Sequence, residues 1–107
     1  MATDSRNTTV PGIGLPSEIV EDILAAPRRR VVLRSLVEAE DGLVVDELVA
    51  EVSDREGLDR DDGTHSRVRA NLYDQHIPKL TATGVVTYDS MRECVELAAP
   101  AIVDHIE

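Results

Sequence analysis

Arg67-Val-Arg-Ala-Asn-Leu-Tyr-Asp-Gln-His-Ile-Pro-Lys-Leu-Thr-Ala-Thr-Gly84-Val-Val86 is the stretch on which the fold turns. At about 3.6 residues per turn, Val68, Leu72, Tyr73, Ile77 and Leu80 share one broad face. Arg67, Asn71, Asp74, Gln75 and Pro78 occupy the opposite face. The pattern predicts one long amphipathic helix over residues 64–83, capped by Thr64, that stops at Gly84 and enters a β run at Val85-Val-Thr-Tyr88. Pro78 deletes the hydrogen bond to the Asp74 carbonyl. Two outcomes fit that loss: a kink on the exposed side, or a break near His76 with a restart at Pro78.

Downstream, Val85 to Tyr88 and Cys94 to Leu97 flank Asp89-Ser-Met-Arg-Glu93 and read as a hairpin with a short loop. Pro100 then opens a short last helix with Ile102, Val103 and Ile106 apolar, free to pack on the first helix or to face another subunit. Upstream, residues 53–63 form an acidic loop. Its Asp59-x-Asp61-Asp62 lacks the spacing and terminal Glu of a calcium loop and reads as a solvated segment. A third helix precedes it, capped by Asp46, with Val45, Leu48, Val49 and Val52 at core spacing. Leu43-Val44-Val45 is a short strand after the turn Glu40-Asp41-Gly42.

The first two helices are short. Ser17 is the expected N-cap of the first, with Ile19, Val20, Ile23 and Leu24 as its apolar stripe. Pro27 ends that helix and serves as the first residue of the second, which runs to about Ala39 with Val32, Leu33, Leu36 and Val37 inward. Arg28, Arg29 and Arg30 crowd the N-terminus of the second helix, where the dipole disfavours cations by ~0.3–1 kcal/mol each. Two explanations stand side by side: a phosphate-facing patch, or an Arg cluster tied to carboxylates such as Glu21, Asp22 and Glu38. Residues 1–16 are small, polar and rich in Pro and Gly, and read as a disordered or loosely docked arm before a domain over 17–107.

The 107-residue chain has a formal net charge of −10 and contains no Phe or Trp, so Val, Leu, Ile and Ala must build its core. Ten of its eleven cations are Arg, and Lys79 is its single Lys. This acidity with little Lys is the style of proteins from salt-accumulating halophiles, where it describes the solvent and not the partner. Charge is also segregated. Pro27 to Val37 carries a local +4 and Thr64 to Thr83 a local +2, leaving −16 for the rest. No apolar run is long enough to cross a bilayer, and no signal peptide pattern opens the chain. The single Cys94 cannot form an internal disulfide, which fits a reducing cytoplasm.

The order helix, helix, short strand, helix, helix, hairpin, helix is that of winged helix-turn-helix regulators, a mostly α fold with a small β-hairpin. Leu72-Tyr-Asp-Gln-His-Ile-Pro-Lys-Leu-Thr-Ala-Thr-Gly-Val-Val86 resembles the recognition-helix signature of ArsR- and MarR-like proteins. With Pro27-Arg-Arg-Arg-Val-Val-Leu33 upstream, the chain is similar to a haloarchaeal winged-helix domain family of uncharacterised function. Ala26 stands where that family has Asn, and Asp74 where it often has His. The resemblance implies a DNA-binding transcriptional regulator, dimeric by default.

On that expectation the helix over 64–83 lies in the major groove of double-stranded DNA. Asn71 and Gln75 suit adenine, Arg67 suits guanine or phosphate, and Lys79 adds a cation. Arg92 at the hairpin tip reaches backbone or minor groove, and Arg28, Arg29 and Arg30 neutralise phosphates. Asp74 on the same face repels phosphate. The alternative is an adaptor or dimerisation module without DNA binding. An enzyme is not expected, because no nucleophile, base and orienting group come together in the pattern. No metal or cofactor is expected either. His65 and His76 lie eleven residues apart, about 1.5 Å per residue along a helix, too far to share an ion.

Overall fold

The computed structural model describes Val10 and residues 12–106. Helices α1 (Ser17–Ala25), α2 (Pro27–Ala39) and α3 (Val45–Arg55) are followed by α4 (Asp62–Asn71), a π turn (Leu72–His76) and α5 (Ile77–Ala82). Strands β1 (Leu43–Val44), β2 (Val86–Asp89) and β3 (Cys94–Leu97) form an antiparallel sheet in the order β1-β3-β2. A 3₁₀ helix, Pro100–His105, comes last. The molecule is thus mostly helical with a small three-stranded sheet, an architecture compatible with a winged helix.

The apolar stripes meet in one core. Ile23, Val32, Leu33, Leu48, Val49, Val52, Leu72, Leu80, Val85, Val95 and Ile102 are all fully buried. Ile102 brings the 3₁₀ helix onto α2, so the last apolar stripe packs inward. Val37, expected inward, is half-buried. The expected arm begins to dock before residue 16. Val10 is buried and its N–H bonds the Leu15 carbonyl at 2.8 Å, with Ile13 and Leu15 packed on the core. Arg6 and the rest of residues 1–9, with residue 11, lie outside the described residues.

Three expected caps are displaced. Ser17 is already inside α1, whose N-cap is Pro16 with no side-chain bond. Asp46 sits in the first turn of α3, and Val44 occupies the cap position. Helix α4 begins at Asp62, because Asp61 is its N-cap and accepts the Thr64 N–H at 2.7 Å. That bond, first among several, holds the Asp61 carboxyl below its usual range. Thr64 is instead buried against the core.

The long helix is interrupted by a π turn, a combination of the two outcomes expected of Pro78. Proline has no N–H, and its ring would clash with the carbonyl four residues back. The backbone widens, the Ile77 N–H reaches the Leu72 carbonyl five residues earlier, and α5 restarts at Ile77. The wider turn also serves packing. In a regular α-helix Leu72 and Ile77 would point about 140° apart, yet both are buried here. At the other end the Gly84 N–H bonds the Thr81 carbonyl and the Val85 N–H bonds Leu80, with Gly84 at φ +76. This Schellman closure aims the chain straight into β2.

Strand β1 ends at Val44, one residue short of the expected run. The Val45 N–H bonds the Glu93 carbonyl at 2.8 Å as α3 begins. Gly42, at φ +89, is pressed against β3. A Cβ there would lie 2.8 Å from the Val95 carbonyl oxygen and 2.6 Å from Glu96 Cγ. Gly42→Ala is therefore expected to cost more than about 1 kcal/mol in urea unfolding. An unchanged midpoint would show that β1 and β3 can part freely.

Candidate nucleic-acid interface

The outer face of α4, the π turn and α5 exposes Ser66, Arg67, Ala70, Asp74, Gln75 and Pro78. Among the described residues Arg67 makes one weak hydrogen bond, its Nη2 donating to Thr64 Oγ1 at 3.2 Å. Gln75 is exposed, and its amide has no partner among the described residues. Asn71 differs from both. It is half-buried, and its Oδ1 accepts from Arg28 Nη1 at 3.0 Å, so its amide is turned toward α2 and already engaged.

The Arg cluster divides by role. Arg28 grips Glu56 with two bonds, 2.9 Å from Nε and 2.6 Å from Nη2, and that pairing raises the guanidinium pKa. Arg29 donates to the Ile23 and Asp22 carbonyls, both at 2.8 Å, and Arg30 to the Leu24 carbonyl at 2.6 Å. Those carbonyls belong to the last turn of α1, which leaves orphan acceptors and the negative end of a dipole. Cations that look misplaced at the start of α2 are in place at the end of α1. Among the described residues Glu21, Asp22 and Glu38, the carboxylates expected to hold the cluster, make no ion pair with it, and Glu56 takes that part for Arg28. Asp22 pairs with Lys79, and Glu38 with Arg55. Lys79 in turn lowers the Asp22 pKa.

The β2–β3 hairpin is fastened to this helix. Tyr73 and Tyr88 meet edge to face, ring centres 6.0 Å apart and planes at 87°, with their hydroxyls 3.1 Å apart. Arg69 lies over the Tyr73 ring at 4.9 Å and reaches Glu93 at 3.1 Å and Asp46 at 3.3 Å. Burial first, and then the Tyr88 hydroxyl, raise the Tyr73 pKa. The Asp46 carboxyl is held low by His65 and by Arg69. At the hairpin tip Asp89 Oδ1 accepts the Met91 and Arg92 N–H groups, while Arg92 keeps 78% of its side chain exposed, 4.0 Å from Asp89.

Of the eight residues singled out in the sequence, Arg67, Gln75 and Arg92 therefore present open side chains. Arg28, Asn71 and Lys79 are engaged within the fold, and Arg29 and Arg30 cap α1. The sequence reading missed Glu56, whose partner Arg28 lies 28 residues away, and Arg69, which carried only its charge as a signal. It also missed His76 as a buried group. His76 is 7% exposed, and its Nδ1 has no hydrogen-bond partner among the described residues.

Burial, then Arg29, then Arg28 hold the His76 pKa below the usual 6.5, with Glu56 opposing them. The unfolded chain takes up a proton near 6.5 where the folded one does not. Stability should fall as pH drops from about 7 toward the folded value and then level off. The carboxylates held low by Lys79 and by His65 lose their contribution only below 3.8, a separate window. His76→Gln is expected to flatten the upper window in urea titrations, whereas an unchanged pH slope would assign that window to other groups.

No three or more His, Cys, Asp or Glu side chains come together as a metal site among the described residues. Asp61 is spent on its cap, and Cys94 is a half-buried free thiol. No helix among them is long and apolar enough to cross a membrane. A family model matches residues 21–96, and the chain belongs to that family, described as Domain of unknown function (DUF7344). No curated protein and no solved structure matches the chain.

Proposed function

We propose that the chain is a winged helix-turn-helix transcriptional regulator that reads double-stranded DNA. The helix from Asp62 to Ala82 enters the major groove, and the β2–β3 hairpin serves as the wing. The observation that carries this reading is the helix's outer face, where Arg67 and Gln75 stand without strong partners among the described residues, beside a hairpin locked on by Tyr73 and Tyr88. Gln75 suits adenine, Arg67 suits guanine, and Arg92 suits phosphate or minor groove. The protein acts in the cytoplasm as a homodimer on a two-fold site. The resemblance of residues 72–86 to the recognition-helix signature of ArsR- and MarR-like proteins supports the same function.

A second reading, the adaptor without DNA binding, is favoured by one observation. Arg28, Arg55, Arg60, Arg69 and Lys79 are each paired with a carboxylate, so little cationic surface is left for phosphates. The two readings separate on salt. At about 1 M salt the Debye length is ~3 Å, and each phosphate contact weakens binding with a log–log slope of ~0.9. With Arg67 and Arg92 as the cations of the proposed reading surface, duplex affinity should fall with a log–log slope no steeper than about 2 as KCl is raised to molar levels. Fluorescence anisotropy with a labelled duplex checks this. A steeper fall in affinity would contradict base-edge reading, and no binding at any salt would favour the adaptor.

A further inference from the structure

Among the described residues three large apolar side chains are exposed, and they are not alike. Val44 and Leu58 keep more than half of their surface covered, whereas Met91, at the tip of the β2–β3 hairpin, is 93% exposed. Its side chain adds nothing to the core, yet the turn that carries it is firmly held. The Met91 and Arg92 N–H groups both bond Asp89 Oδ1. Glu93, next in the chain, adopts φ 49, a left-handed conformation that is costly for a residue with a side chain. Three contacts keep it there. Its carbonyl accepts the Val45 N–H at 2.8 Å, and its Oε1 accepts from Arg69 Nη2 at 3.1 Å and from the Tyr73 hydroxyl at 3.3 Å. Strain that its surroundings over-determine clusters at functional sites. The turn therefore projects an apolar side chain into solvent from a base fastened to α3, α4 and the π turn. The charges beside it are sorted as well. The Asp89 and Glu93 carboxylates are taken up by the turn and by Arg69, while Arg92 keeps most of its side chain exposed.

We propose that Met91 is a wedge for the minor groove of double-stranded DNA, inserted at a base step beside the major-groove site of the helix. The inference rests on the DNA reading proposed above and extends it from base edges to the deformability of the duplex. Charge favours this occupant over an apolar protein patch. The minor groove is a negative cleft, and the wedge carries the exposed Arg92 guanidinium next to it. Apolar side chains of this kind, entering from the minor groove, partly unstack a base step and kink the duplex toward the major groove. Pyrimidine–purine steps give way most readily. A selected site should therefore hold a TA or CA/TG step at a fixed offset from the bases read by Arg67 and Gln75, at a position no hydrogen bond specifies.

The test uses the full chain and a duplex selected by wild type, with 2-aminopurine replacing each adenine that flanks the helix site in turn. Binding of wild type should brighten the fluorophore at one step, the sign of local unstacking. That gain should vanish with Met91→Ala and persist with Met91→Leu. Met91→Ala should bind about tenfold more weakly, since it loses the burial of one apolar side chain, and Met91→Leu should stay within about threefold of wild type. The side chain is exposed in the free protein, so unfolding midpoints should not move for either variant. Equal affinity and equal fluorescence for wild type and Met91→Ala, on a duplex that both bind, would overturn the wedge and leave helix reading standing. Failure to select any duplex would overturn both. A Met91→Ala variant that changes the sedimentation of the DNA-free chain would assign Met91 to contacts between copies and overturn the proposal.

Discussion

A duplex selected by the wild-type chain is expected to bind the Arg67→Ala, Gln75→Ala variant about 2–6 kcal/mol more weakly, or roughly 30- to 10⁴-fold. The range follows from two bidentate base contacts at about 1–3 kcal/mol each. Both side chains are surface groups, so unfolding midpoints should barely move. Asn71→Ala provides the contrast. Its amide oxygen is held by Arg28, so the loss should appear in unfolding more than in base preference. If Asn71→Ala abolished sequence preference while Gln75→Ala did not, the reading face would lie nearer α2. Anisotropy on matched and mismatched duplexes, together with urea unfolding of each variant, separates these outcomes.

The second large effect is on stability. Leu72→Ala should cost about 2–5 kcal/mol, a large share of the roughly 5–15 kcal/mol that holds a domain of this kind together. Leu72 is fully buried, and its carbonyl accepts the Ile77 N–H across the π turn. Truncation opens a cavity at the point where the helix must change register to keep both Leu72 and Ile77 inside. Leu72→Met, which nearly conserves volume, should cost less than about 1.5 kcal/mol. Urea unfolding checks both. Equal small losses for the two variants would show that the core can collapse around residue 72.

Much of the fold was legible because apolar spacing survives tertiary context. Leu33, Leu36, Leu48, Val49, Val52, Val68, Leu72, Ile77 and Leu80 were all placed inward by period alone, and all are buried. Gly84 and the hairpin turn were legible from glycine and from strand residues on either side of a polar loop. Caps were not. Asp61, Asp62 and Thr64 all carry a suitable oxygen, and packing that buries Thr64 decides that Asp61 does the capping. Pro78 announced a break, but no local rule decides whether the backbone kinks, breaks or widens into a π turn.

The candidate interface was half legible for a related reason. Helical spacing gives the face on which a residue sits, which was enough for Arg67 and Gln75. It does not give the partner across the fold. Arg28 with Glu56, Lys79 with Asp22, and Arg29 and Arg30 on the end of α1 arise from tertiary neighbours. In a chain with twenty-one carboxylates most cations find a partner, so charge alone overstated the unpaired cationic surface.

The most direct test of the central claim is selection from random duplex DNA at molar KCl, with wild type and the Arg67→Ala, Gln75→Ala variant in parallel. The account predicts an enriched, roughly palindromic motif with wild type that disappears with the variant. No enrichment at any salt concentration, from protein shown to be folded, would contradict DNA reading and leave the winged-helix adaptor as the function.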